Sequence, residues 1–126
     1  MELLKLNTYN RIYQTDCFSN EFSEVVNEGW AKKAPYKRYQ KKLLTDLFVL
    51  DEYGENSIQF PQFEELSDTK IRLFSIRHPK TKKNVRVIYA IIEGIIVLLT
   101  AFLEKNTSDY ARGIRRAENR YKLLIK

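Results

Sequence analysis

Between Pro35 and Tyr53, apolar residues return at three- and four-residue spacing: Tyr36, Tyr39, Leu43, Leu44, Leu47, Phe48 and Leu50. This spacing predicts an amphipathic helix, with Pro35 in its first turn and Gly54 just past its end. Upstream, Tyr9, Ile12, Tyr13 and Cys17 predict an edge strand running to Asp16. A short helix should follow, capped by Ser19 or Asn20, carrying Phe22, Val25 and Val26 and ending near Gly29. Glu55 to Thr69, with Pro61 and several acids, reads as a loop.

Beyond the loop the apolar period becomes that of a strand. Ile71 to Arg77 predicts one strand, stopped at Pro79, which lacks the N–H that a ladder needs. A basic loop from His78 to Asn84 leads to a second strand, Val85 to Ile92. Glu93-Gly94 is a two-residue hairpin turn, and Ile95 to Leu103 returns as the third strand. Counting outward from that turn sets Arg86 opposite Ala101. A last helix, Asp109 to Leu124, presents Ile114, Ala117, Tyr121 and Leu124 on one side and Arg112, Arg115, Arg116, Arg120 and Lys122 on the other. The expected fold is α+β: an antiparallel meander packed against N-terminal helices, with a C-terminal helix for further cover. Both faces of the central hairpin are apolar, so each needs cover. The run VIYAIIEGIIVLLTAFL has Glu93 and Gly94 at its centre and suits two buried strands better than a membrane span.

The chain has 126 residues and is 44% hydrophobic and 30% charged, the balance of one folded domain spanning residues 1–126. Cys17 is the sole cysteine, which excludes an intramolecular disulfide and fits a reducing compartment. The start, MELLKLNTYN, lacks the apolar stretch of a secretion signal, so a cytoplasmic protein is expected. Charge changes the picture more. Residues 1–69 hold 8 basic and 12 acidic residues (net −4), whereas 70–126 hold 14 and 4 (net +10). Nucleic acid, an anionic membrane or an acidic protein are the polyanions such a half attracts, and a solvated charged face is the plain alternative.

Several chemistries fall away at once. The chain has no GxxxxGK[ST] or GxGxxG loop, no HExxH and no second histidine to build a metal site around His78, so neither metal nor cofactor is expected. What the strands do offer is Arg86, inside a run that otherwise reads as buried. A buried, unpaired guanidinium costs several kcal/mol, roughly, so Arg86 must pair with an acid, snorkel, or open onto a groove that accepts an anion. Arg77 ends the neighbouring strand, and Lys105 lies just past the hairpin end; together these cations would make a phosphate site. His78 and Tyr110 are weaker candidates, each more commonly a loop or packing residue. Lys80, Lys82 and Lys83 usually mark a solvated loop, yet beside Arg77 and Arg86 they suit a nucleic-acid backbone, as do Arg112 and Arg116 on the last helix.

The ordered pieces LFSIR (Leu73 to Arg77), VRVIY (Val85 to Tyr89), IIVLLTAF, the following Lys105 and RRAENRY resemble the HigB branch of the RelE superfamily of toxins from bacterial and phage type II toxin–antitoxin systems. The likeness covers about residues 60 to 126, and the first half only in the order of its helices. It implies an mRNA interferase: an endoribonuclease, usually acting on mRNA in the ribosome and thereby inhibiting translation, neutralised by a helix-turn-helix, HigA-like antitoxin. Its chemistry would activate a ribose 2′-OH against the adjacent phosphate, with Arg77 and Arg86 as electrostatic stabilisers. Lys105 would assist phosphate binding or proton transfer, and Tyr110 or His78 would serve acid–base work or base stacking. Where the branch commonly carries a KKT-type run followed by TP, this chain has Glu104, Lys105, Asn106, Thr107, Ser108 and Asp109. Glu104 thus replaces a usual cation, either weakening cleavage or acting as a general base. A non-catalytic regulator of phage origin, binding nucleic acid or protein on the same fold, is the second expectation. An antitoxin segment, acidic or amphipathic, is expected over the open sheet face or basic groove.

Overall fold

The structure, a computed structural model, describes residues 1–30, 34–77 and 84–125, and the side chains of 1–26, 40–77 and 85–125. Two short strands, β1 (Leu3–Lys5) and β2 (Ile12–Thr15), lead into helices α1 (Phe18–Trp30) and α2 (Ala34–Tyr53). A 3₁₀ turn, Gly54–Gln59, precedes β3 (Phe63–Glu65) and β4 (Phe74–Ile76). The long hairpin β5 (Asn84–Ile92) and β6 (Ile95–Glu104) then runs into α3 (Thr107–Leu124). The class is α+β, and among the described residues no helix is long and apolar enough to cross a membrane.

The six strands form one sheet in the order β1-β2-β6-β5-β4-β3. It is mixed rather than antiparallel, because β2 runs parallel to β6, with Ile12 beside Ile96 and Gln14 beside Leu98. The N-terminal strand is therefore an inner one, edged by β1. The expected loop at 55–69 contains the 3₁₀ turn and β3, and the strand expected over 71–77 is confined to Phe74–Ile76. The hairpin turn is as expected. Glu93 and Gly94 both adopt positive φ, 48° and 83°, as a tight turn matched to the strand twist demands.

Strand periodicity then builds two cores. Val85, Val87 and Tyr89 of β5 face α1 and α2, packing with Phe22, Val26, Leu47 and Leu50. Ile88 and Ala90 face α3, packing with Ile114 and Ala117. Leu44 and Phe48, counted above among the apolar positions of α2, stay exposed. Within β5–β6, Ile88 pairs with Thr100 but Tyr89 with Leu98, so Leu99 is an extra residue. This bulge moves the parity of β6: Ile96 and Leu98 lie in the α1–α2 core before it, Ala101 and Leu103 after it. The register correction that follows is specific, since Arg86 pairs with Phe102 and not with Ala101.

Candidate functional site

Arg86 lies on the α3 side of β5, near the end of the hairpin remote from its turn, and is 9% exposed. A guanidinium taken that far from water must find partners, and among the described residues it finds four. Its Nε donates to Glu104 Oε1 at 3.1 Å, and its Nη1 donates to Glu64 Oε1 and to Ser75 Oγ at 3.0 Å. The Tyr110 ring lies over it, 5.1 Å from centroid to Cζ, a cation–π distance. Each partner comes from a different element. Glu64 is in β3, Ser75 in β4 directly opposite Glu64, Glu104 closes β6, and Tyr110 opens α3.

The start of α3 is fixed by local hydrogen bonds. Asn106 caps it, its side chain accepting from Asp109 N–H at 3.1 Å, while Asp109 Oδ2 accepts from Lys105 N–H at 3.0 Å. The first satisfies a free N–H of the first turn, the second ties the residue before the cap to the helix, and Asp109 sets a carboxylate at the positive end of the helix dipole. Tyr110, the next residue, is held over Arg86 as a result.

Glu64 joins the two arginines, its Oε1 on Arg86 and its Oε2 3.6 Å from Arg77 Nη1. Arg77 is the more accessible of the pair, its side chain 36% exposed against 11% for Arg86. Burial works to lower the Arg86 pKa, but the hydrogen bonds and charges of Glu64 and Glu104 more than offset it, so the group stays cationic. Burial raises the Tyr110 phenol, with Arg86 opposing the shift and the two carboxylates adding to it. The cluster thus holds two guanidiniums, two carboxylates, a hydroxyl and a protonated phenol.

The expected phosphate site is brought together in part. Arg77, Arg86 and Tyr110 converge, but Arg86 is held by carboxylates rather than open to an anion. Lys105 follows Glu104 and lines a neighbouring cleft between α1 and α3, as do Arg112 and Arg116. Arg112 pairs with Asp109, and Arg116 donates to Thr100 Oγ1 at 2.9 Å. His78, Lys80, Lys82 and Lys83 lie outside the described residues. Glu64 was missed by the sequence reading because its strand is three residues long, too short for alternation to register. The one signal was Phe63, an apolar residue just before two acids.

No protein-family model matches the chain, and neither the curated proteins nor the solved structures yield a significant match.

Proposed function

We propose that this chain is a RelE-like mRNA interferase of the HigB type, an endoribonuclease that cleaves mRNA on the ribosome. The observation that carries the reading is Glu64: one carboxylate between two guanidiniums, with a phenol at the same spot. Cleavage by a ribose 2′-OH needs a base for that proton, positive charge beside the phosphoryl oxygens, and an acid for the departing 5′-oxygen. Glu64 takes the 2′ proton as the 2′-oxygen bonds to phosphorus. Arg77, the more accessible cation, meets the phosphate, and Arg86 orients Glu64 and opposes the charge that develops. Tyr110 protonates the 5′-oxygen as its bond to phosphorus breaks, leaving a 2′,3′-cyclic phosphate. The arrangement of α1 and α2 on one face and α3 on the other supports the family reading. The partners are mRNA, the ribosome and a helix-turn-helix, HigA-like antitoxin.

One observation favours a second reading, a non-catalytic regulator that binds nucleic acid or protein. Arg77, Arg86, Glu64 and Glu104 cancel in formal charge, which weakens the hold on a phosphate. End-labelled single-stranded RNA and ribosome-bound mRNA decide between the two. Under the first reading the wild type yields fragments with cyclic phosphate ends, and Glu64→Gln cuts the rate by about 10²-fold or more while still binding RNA. Binding by the wild type with the RNA intact supports the second reading and ends the first.

A further inference from the structure

Strand β2 accompanies β6 only as far as Leu98, and the chain then turns away into α1. Among the described residues, no strand pairs with Thr100–Glu104 on that side. In line with the missing continuation of β2 lies a cleft of about 430 Å³ between α1 and α3, floored by Ala101, Phe102 and Leu103.

The backbone along this edge is closed at its inner end and loosely covered further out. Leu99 C=O accepts from Arg120 Nη1 at 2.8 Å and from Thr15 Oγ1 at 3.3 Å, and Arg120, with a side chain 13% exposed, is locked to Glu21. Ala101 C=O accepts a long 3.3 Å bond from Arg116, whose side chain is 42% exposed. The Arg116 guanidinium stands where the N–H of an added strand would stand. The walls differ in sign: α3 and the end of β6 contribute Arg112, Arg116 and Lys105, and α1 contributes Glu21 and Glu24. With Asp109, the lining carries three cations and three anions, so the cleft offers no net positive field to an RNA backbone.

We infer that this slot receives an extended peptide segment of a partner protein, added to β6 as a further strand. Side chains alternate between the two faces of a strand, so the segment that fits carries acidic residues toward α3 and basic residues toward α1. Hydrogen bonds to the β6 backbone supply the pairing, and the opposed walls set which way up the strand lies. The inference does not depend on RNA cleavage.

The test uses the ¹⁵N-labelled full chain and two capped hexapeptides of equal composition, one alternating Glu-Lys and one with three Glu followed by three Lys. The alternating peptide should shift the amides of Ala101 and Leu103 and bind about fivefold tighter than the block peptide, the scale of one or two exposed charge pairs. Arg112→Glu should erase that preference. Equal binding of the two peptides, shifts confined to other regions, or no shifts at millimolar peptide would each overturn the proposal. So would the same pair of amides responding to a short single-stranded RNA, which would make the slot a nucleic-acid site.

Discussion

Arg86 has changed meaning between sequence and structure. Its position in an apolar strand marks it as anomalous, and pairing with an acid was one of three outcomes that the anomaly allowed. The structure selects that outcome twice over, with Glu64 and Glu104. Removing one member of a buried ionic cluster leaves the others unbalanced, so Arg86→Ala should destabilise the fold by about 3–5 kcal/mol in urea titration. Adding Glu64→Gln and Glu104→Gln to that variant should restore part of the loss, since the residual charge is then gone. Asp46 carries a second prediction. It is 2% exposed, Gln62 Nε2 donates to its Oδ1 at 3.2 Å, and its Oδ2 has no hydrogen-bond partner among the described residues. Burial raises its pKa, with Lys42 and Gln62 opposing. The native state therefore keeps this proton to a higher pH than the unfolded chain, and stability falls as pH rises from the unfolded pKa through the native one. Asp46→Asn removes that loss and keeps an acceptor for Gln62. Its unfolding midpoint should exceed the wild type's at neutral pH, and the gap should close as the solution is acidified.

At the level of elements, strong local patterns survive and non-local ones do not show. The helix expected over 109–124 is found as α3, with Ile114 and Ala117 buried as its spacing required, and the hairpin turn falls on Glu93-Gly94. Neither Leu3–Lys5 nor Phe63–Glu65 shows the alternation of a strand, because three residues give no usable period. The extra residue at Leu99 is equally silent, since a bulge in a strand apolar on both faces leaves no break in the pattern. It is this silence that placed Arg86 one residue out of register. Gly113 of α3 is a further requirement that only the packing reveals. A Cβ there would lie 2.3 Å from Phe102 Cε1, and Phe102 is the residue paired with Arg86. Gly113→Ala should cost about 1–3 kcal/mol despite the better helix propensity of alanine, read as a lowered melting temperature.

For the whole molecule, the division of charge at residue 70 was the most legible feature, and the three-dimensional arrangement qualifies it. Many of the cations in the second half are matched by acids from the first: Arg72 by Glu55 and Glu65, Arg86 by Glu64, Arg120 by Glu21. The field available to a polyanion is therefore smaller than +10 implies. Binding of single-stranded RNA should show a modest dependence on salt, with a log–log slope of about −2, the value for roughly three neutralised phosphates. A much steeper slope in a filter-binding titration would mean that the cations matched here are released on binding.

The parallel pairing of β2 with β6 reaches from Ile12 to Ile96, and the Glu21–Arg120 ion pair spans 99 residues. The first cannot form until β6 has been made, nor the second until most of α3 has. The apolar faces of α1 and α2 must then wait, uncovered, for strands made some fifty residues later, and folding is paced by contacts of long sequence separation.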